Sequence, residues 1–454
     1  MRPPSWRDYQ RRLQRQRRPR RWGRLLGMGG LLVVAAALAV HLFGGQARVP
    51  LAKHEKAETP APAPAAEVDK VAVQALIKPA DLFNRSSVRF TVNGHGQPLV
   101  VETTLDMDLQ RSLVDALDTR TARFIAVVAV DPDTGRILAM AGYDRDGETE
   151  NPCLDNRFPA ASLFKIVTAA AAVQEANLDG ASQLHFNGGR YTLYRSQIKD
   201  KVTRYTTRIP LRDAFAGSVN PVFGKLGALQ LGMDTLTRWA DAFGFNRPIP
   251  FEAALAPSHF EASADTYHLA ELASGFNRQT TVSPLHAALI AATTVNAGRL
   301  YEPSAVVRIV DAEGRVRYES RPRLLGKPME AHTAAEIALM MEASVRKGTC
   351  RKPFQGSVRD PVLKRLAIGG KSGSIDNQDH SARIDWFAGW AAEREGGAEI
   401  AVAAVVAHEK YIGTRAGTYA RRVITDYFGR LFAARKAEAA TVGRADKHKG
   451  GGRG

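Results

Sequence analysis

Three short motifs in this chain hold residue types that can activate a hydroxyl for attack on a carbonyl. The first is Ser162-Leu163-Phe164-Lys165. Pro159 precedes it and the apolar run Ile166 to Val173 follows, so the motif opens a helix. Helical residues three apart share a face, which brings the Lys165 amine within reach of the Ser162 hydroxyl. A serine hydroxyl is a weak nucleophile until a base takes its proton, and a lysine with a depressed pKa is such a base. The start of a helix adds free N–H groups and the positive end of its dipole, which suit developing oxyanion charge. Two other Ser-x-x-Lys stretches lack this setting. Ser196-Gln197-Ile198-Lys199 lies in a polar stretch of Tyr, Thr and Arg, and Ser344-Val345-Arg346-Lys347 ends a helix rather than opening one.

The second motif, Ser218-Val219-Asn220, is the only Ser-x-Asn in the chain. Its hydroxyl can relay protons, and its amide can bond both a substrate carbonyl and a lysine. By itself it reads first as an ordinary loop turn, since Ser and Asn favour turns. The third is Lys371-Ser372-Gly373-Ser374, after Ile368-Gly369-Gly370. The glycines suit a strand that a ligand backbone approaches closely. Lys371 brings positive charge for a carboxylate and depresses the pKa of a neighbouring lysine, and Ser372 adds a hydroxyl.

Taken together and in this order, the motifs at Ser162, Ser218 and Lys371 resemble the S-x-x-K, S-x-N and K-[ST]-G set of penicillin-binding proteins and serine β-lactamases. Further segments resemble the transpeptidases: Thr103-Thr104-Leu105-Asp106 with Leu109-Gln110, Val130 to Met140, Val282-Ser283-Pro284-Leu285 with Asn296-Ala297-Gly298, and Asp385 to Trp390. The resemblance covers roughly residues 100–432. It implies a serine-type D-Ala-D-Ala transpeptidase. Ser162, Lys165, Ser218, Asn220 and Lys371 would be catalytic, and Ser372, Gly373 and Ser374 would bind substrate. The implied partners are peptidoglycan stem peptides, a D-Ala-D-Ala donor and an amine acceptor, with β-lactams as covalent inhibitors. The sequence departs from the family pattern in places. Ser372 and Ser374 stand where Thr is usual, Ala160-Ala161 precedes the nucleophile, and Gly275-Phe276-Asn277 replaces Gly-Gln-Gly. The stretch before the catalytic region is too short for a long pedestal or a glycosyltransferase. Rival readings are a D,D-carboxypeptidase, a β-lactamase or β-lactam sensor (with Glu175 or Glu252 as a deacylating carboxylate), and an inactive cell-wall scaffold.

These motifs have to be positioned by a common framework. Ile125 to Val130, the turn Asp131-Pro132-Asp133-Thr134-Gly135 and Arg136 to Ala141 read as one hairpin. Asp385 to Ala392 and Glu399 to Val406 read as a second. Helical patterns fill the middle, at Ile166 to Glu175, Ser283 to Thr294 and Ala334 to Val345, and a last helix carries Ala420, Val423, Ile424, Tyr427 and Leu431 on one face. Strands at both ends around a helical middle predict an α/β fold of the α+β type, with one antiparallel sheet and helices on its faces. The resemblance implies five strands and an all-helical subdomain.

The formal charge is +17, but residues 1–24 hold +9 of it and the tail from Arg435 holds +4. Only +4 remains for the roughly 410 residues between, so no nucleic-acid partner is expected. Leu25 to Gly45 is a 21-residue run without charge, long enough to span a bilayer. The arginines before it place the N-terminus in the cytoplasm and the catalytic body in the periplasm or outside the cell, on a single-pass anchor in the cytoplasmic membrane. The expected organisation is a basic segment 1–24, an anchor 25–45, a Pro/Ala-rich linker 46–80, a transpeptidase domain 81–432 and a disordered basic tail 433–454. Cys153 and Cys350 could form one disulfide or remain separate thiols. There is no Cys-x-x-Cys spacing and no glycine-rich phosphate loop, and neither a metal nor another cofactor is expected.

Overall fold

The computed structural model describes residues 69–94, 96–377 and 380–450. The basic N-terminal segment, the apolar run Leu25 to Gly45 and the linker up to residue 68 lie outside the described residues. Among the described residues, no helix is long and apolar enough to cross a membrane.

Both expected hairpins form. The first joins β1 (Ala122–Val130) and β2 (Ile137–Asp144). Gly135 makes the turn at φ +74°, and a Cβ there would fall 2.2 Å from the Glu302 carbonyl oxygen. From the other end of the chain come β3 (Leu366–Asp376), β4 (Arg383–Glu393) and β5 (Glu399–His408). All five strands pair antiparallel in the order β3-β4-β5-β1-β2. The two ends of the domain meet where β5 pairs with β1, Ala403 opposite Val128.

Successive strand residues point to opposite faces, and here both faces are apolar. Val128, Trp386, Trp390, Ala403 and Val405 belong to one buried cluster, and Val127, Phe387, Val402, Ala404 and Val406 belong to another. Each face therefore needs a helical cover. α1 (Met107–Asp115) precedes the sheet. Between β2 and β3 run α2 (Lys165–Glu175), α3 (Leu211–Ala216), α4 (Asn220–Lys225), α5 (Gly232–Ala242), α6 (Thr266–Ser274), α7 (Pro284–Thr293) and α8 (Ala331–Lys347). α7, N-capped by Ser283, packs on the first face. The last helix, α9 (Ala416–Gly450), covers the second face with Ala420, Val423, Ile424 and Phe428.

Three features differ from expectation. Residues 70–80 belong to the body rather than to a linker. A short helix, Lys70–Gln74, buries Val73, and Ile77 and Leu82 follow it into the core. The apolar period there is too short to stand out from its Pro/Ala-rich surroundings. The tail expected to be disordered from residue 433 continues α9 to Gly450. Its Ala, Lys, Arg and Glu favour helix, and no proline interrupts it. A second antiparallel sheet joins Arg89–Gly94 and Gln97–Thr103 to Val306–Val310 and Val316–Glu319, pairing segments about two hundred residues apart. Cys153 and Cys350 are separate buried thiols in different clusters.

β2 is a sheet edge, and side-chain amides close it. Gln110 on α1 donates Nε2 to the Met140 carbonyl and accepts the Met140 N–H, both at 2.8 Å. Asn84 donates to the Gly142 carbonyl at 2.7 Å and accepts its N–H at 3.0 Å. An edge paired in this way cannot template a foreign strand. Gln110 is fully buried. Gln110→Leu keeps the volume but strands the Met140 N–H, while the Met140 carbonyl keeps the Asn84 N–H at 3.0 Å, a loss of about 1–3 kcal/mol of stability. Urea unfolding of the two proteins measures it, and a difference below about 0.5 kcal/mol would show that the edge does not rely on this amide.

Candidate active site

Ser162 lies in a 3₁₀ turn, Ala161–Phe164, that runs directly into α2. The helix opening expected at the nucleophile is therefore tighter than an α-helical turn. Ala161 takes φ +47°, a left-handed conformation that a non-glycine residue holds only when its neighbours impose it. Two contacts do so. Trp386 on β4 donates Nε1 to the Pro159 carbonyl at 2.9 Å. Gly275 ends α6 at φ +65°, and a Cβ there would fall 1.9 Å from the Ala161 carbonyl oxygen and 3.0 Å from the Ser162 nitrogen.

Lys165 begins α2 and is fully buried. Its Nζ lies 2.8 Å from Ser162 Oγ and 2.8 Å from Asn220 Oδ1, and it also bonds the Ser274 carbonyl. A neutral amine has two N–H groups and one lone pair. Asn220 Oδ1 and the Ser274 carbonyl can only accept, so they occupy the two N–H groups and leave the lone pair for Ser162 Oγ. Burial, reinforced by the nearby Lys371 ammonium, holds the Lys165 pKa well below its ordinary value. The arrangement is that of a base already in contact with its nucleophile.

Ser218 sits between α3 and α4 at φ +53°. Asn220 starts α4, its backbone N–H donating to the Arg190 carbonyl at 2.7 Å and its Nδ2 to the Tyr191 carbonyl at 2.9 Å. Lys371, on β3 and fully buried, donates to Ser218 Oγ at 3.0 Å and to the Ser372 carbonyl at 2.8 Å. Burial lowers its pKa to about 8. Ser372 Oγ donates to Thr349 Oγ1 at 2.7 Å. A Cβ at Gly373 would stand 3.2 Å from Ala161 Cβ, so a side chain there would press on the nucleophile's turn.

Ser162, Ser218, Asn220, Ser372, Gly373 and Ser374 border one open cleft of about 1470 Å³, together with Tyr191, Phe276, Thr349 and Trp386. Every residue singled out in the three motifs thus lies at this cleft or, for the two lysines, bonded to residues in its wall. The other two Ser-x-x-Lys stretches do not form such a pair. Ser196 and Lys199 are exposed, and Ser344 is buried while Lys347 pairs with Asp213 at 2.7 Å. Glu175 accepts from Trp239 at 3.1 Å, and buried Glu252 accepts from Ser304 at 2.6 Å and Tyr318 at 3.0 Å. Neither carboxylate borders the cleft. Sequence reasoning missed the carbonyls of Arg190, Tyr191 and Ser274, because a backbone carbonyl leaves no trace in residue type. It also missed Thr349. Gly275 was visible only as part of a departure from the family pattern.

Two outcomes follow from this geometry. Gly275→Ala should shift the Ser162 turn and slow acylation by labelled penicillin about a hundredfold, with the protein still folded by circular dichroism. An unchanged rate would mean that Gly275 does not set the nucleophile. The second concerns pH. A base role for Lys165 and a charged role for Lys371 predict that the acylation rate falls on the acid side as Lys165 gains a proton. It should fall again on the basic side, near pH 8, as Lys371 loses its own. In Lys371→Arg the guanidinium keeps its charge, so the basic fall should move upward. A basic limb that stays in place in that variant removes Lys371 from the assignment.

The family model of the penicillin binding protein transpeptidase domain matches residues 125–427. Penicillin-binding protein 3 of Bacillus subtilis is 24% identical over 318 residues, which are 63% of this chain and 45% of that protein. The peptidoglycan D,D-transpeptidase PbpA of Mycolicibacterium smegmatis is 26% identical over 296 residues, 58% of this chain and 60% of that one. The chain thus spans about half the length of these curated relatives. Among solved structures, the D,D-transpeptidase domain of a peptidoglycan glycosyltransferase from Eggerthella lenta superposes with a TM-score of 0.59 at 24% identity, over 73% of this chain and 83% of that one. PBPA from Mycobacterium tuberculosis does so with a TM-score of 0.59 at 23% identity, over 72% and 81%. That family model covers more than half of the sequence, and the chain belongs to the penicillin-binding protein transpeptidase family.

Proposed function

We propose that the protein is a peptidoglycan D,D-transpeptidase that cross-links stem peptides through an acyl-enzyme on Ser162. The observation that carries this reading is the contact of buried Lys165 Nζ with Ser162 Oγ at 2.8 Å, beside its bonds to Asn220 Oδ1 and the Ser274 carbonyl. In the first step Ser162 Oγ attacks the carbonyl between two terminal D-alanines, and Lys165 receives the hydroxyl proton. The backbone N–H groups of Ser162 and Ser374 receive the oxyanion, each such donor contributing about 3 kcal/mol to the transition state. Lys371 and Ser372 hold the terminal carboxylate. The intermediate collapses with cleavage of the D-Ala–D-Ala amide, and the departing amine takes up the proton that Lys165 received, passed on by Ser218, which is bonded to Lys371, so that Lys165 is neutral again. An amine of a second stem then attacks the ester carbonyl. The new amide forms as Ser162 recovers its proton by way of Lys165.

β-Lactams enter the same path as mimics of the donor and stop at the ester. A β-lactamase would need a base for water at that ester. The two carboxylates considered for that role are engaged elsewhere and do not border the cleft. Water replacing the amine would make the same site a carboxypeptidase. The apolar run Leu25 to Gly45 would hold the N-terminus in the cytoplasm and the catalytic domain on the peptidoglycan side of the cytoplasmic membrane.

Labelled penicillin should form an adduct that survives for hours, and Ser162→Ala should abolish it. A folded wild-type protein that stays unlabelled at high drug concentration, or an adduct lost within minutes, sinks the reading. Incubation with a synthetic pentapeptide and an amine acceptor should yield more cross-linked dimer than free tetrapeptide.

A further inference from the structure

The motif Ser196-Gln197-Ile198-Lys199 plays no part in the chemistry, yet the segment around it is unusual. Strands Gln183–Phe186 and Thr207–Pro210 pair antiparallel and close the loop 187–206 at its base. Between residues 187 and 208 the chain carries six Lys or Arg (Arg190, Arg195, Lys199, Lys201, Arg204, Arg208) against the single acid Asp200. That local excess is larger than the whole net charge of the chain between its basic termini. All six cations are exposed. Asp200 is already engaged by His185 at 2.8 Å and Lys225 at 3.2 Å, and Arg195 stands 3.8 Å from Asp265. The other five have no carboxylate partner among the described residues.

Three tyrosines lie among these cations with their rings toward solvent: Tyr191 is 63% exposed, Tyr194 62% and Tyr205 72%. Solvated loops rarely spend several aromatic rings this way unless a partner covers them. The loop is also preformed. Buried Gln197 accepts from the Tyr194 N–H at 2.9 Å and donates to the Asn187 carbonyl at 2.8 Å. Leu193 and Ile198 pack on Ala270 of α6, and Tyr267 donates to the Leu193 carbonyl at 2.6 Å. A rigid loop forfeits little entropy when it binds. It is continuous with the cleft, because Tyr191 borders the cleft and the carbonyls of Arg190 and Tyr191 hold Asn220.

We infer that this loop is a docking surface for polymeric peptidoglycan, a glycan strand bearing many anionic stem peptides. The inference rests on the reaction proposed above. Sugar rings present apolar faces to the tyrosine rings, and stem-peptide carboxylates pair with the arginines and lysines. Of this loop only Tyr191 borders the cleft, so the surface beyond it would engage polymer rather than an isolated stem peptide. It raises the local concentration of stems at Ser162 without changing the chemistry there.

The test uses the full chain and the combined substitutions Tyr194→Ser, Lys201→Gln, Arg204→Gln and Tyr205→Ser, none of which touches the site. Two measurements are made with both proteins: cosedimentation with insoluble purified peptidoglycan, and the rate of labelling by penicillin. The variant should bind the polymer about tenfold more weakly, with added salt narrowing the gap, while its labelling rate stays that of the wild type. Equal cosedimentation of the two proteins overturns the surface even if both are labelled. A variant labelled much more slowly also overturns it, because the loop would then act by shaping Asn220. If cosedimentation depends on these residues but neither protein is labelled, the surface stands and the acyl-transfer reading falls.

Discussion

Two lysine side chains are wholly withdrawn from water in the wall of one cleft, with no carboxylate partner among the described residues. Placing an unpaired ammonium in such a setting costs several kcal/mol, and the group relieves the cost by losing its proton more easily. The surroundings are built for that compromise. Lys165 meets a hydroxyl, an amide oxygen and a carbonyl, with the Phe223 ring centre 5.6 Å away. Lys371 meets a hydroxyl and a carbonyl, with the Phe215 ring centre 5.7 Å away. Neutral acceptors and ring faces stabilise a cation only in part. An acidic residue at any of these positions would restore the charge of Lys165 and abolish its use as a base.

Such a site has to be rigid, because a lysine that could reach water would do so. The rigidity comes from the sheet. Lys371 sits on β3, which pairs along its whole length with β4, and Trp386 of β4 holds the carbonyl of Pro159 just ahead of the nucleophile. α2 is buried from Lys165 to Val173, so the base cannot swing out. Backbone strain is concentrated here as well. Ala161 and Ser218, both at positive φ, flank the reacting groups, and each is held by elements that are themselves packed. The sheet that supports this arrangement joins strands from both ends of the domain. The strand that carries Lys371 and the first hairpin therefore belong to one sheet.

Much of this was legible in the chain. Alternating apolar strands, an Asp-Pro-Asp-Thr-Gly turn and a Ser-capped helix at Ser283 are local patterns, and local patterns survive folding. The residues that meet at the cleft were legible because chemistry restricts residue type: a lysine three residues after a serine at a helix opening is a recognisable pair. Other elements were not. The four-stranded sheet pairs Gln97–Thr103 with Val306–Val310, and nothing within either segment names its partner. The helix Lys70–Gln74 buries only Val73, too little signal to outweigh its surroundings. The continuation of α9 beyond residue 433 was masked by a composition that reads equally as solvated tail or exposed helix.

Residue order alone determined the three motifs that nominate Ser162, Lys165 and Ser218, the presence of two hairpins around a helical middle, and the separation of the chain's charge toward its ends. Only the tertiary structure decided which acceptors meet the Lys165 amine, since Asn220 and the Ser274 carbonyl are brought from 55 and 109 residues away. It alone decided that Glu175 and Glu252 stand outside the cleft, and that a tyrosine-rich basic loop stands beside it. The physical reason is the same in each case. Residue type limits what a group can do, whereas its protonation and its aim depend on neighbours that are distant in the chain and meet only when the core closes.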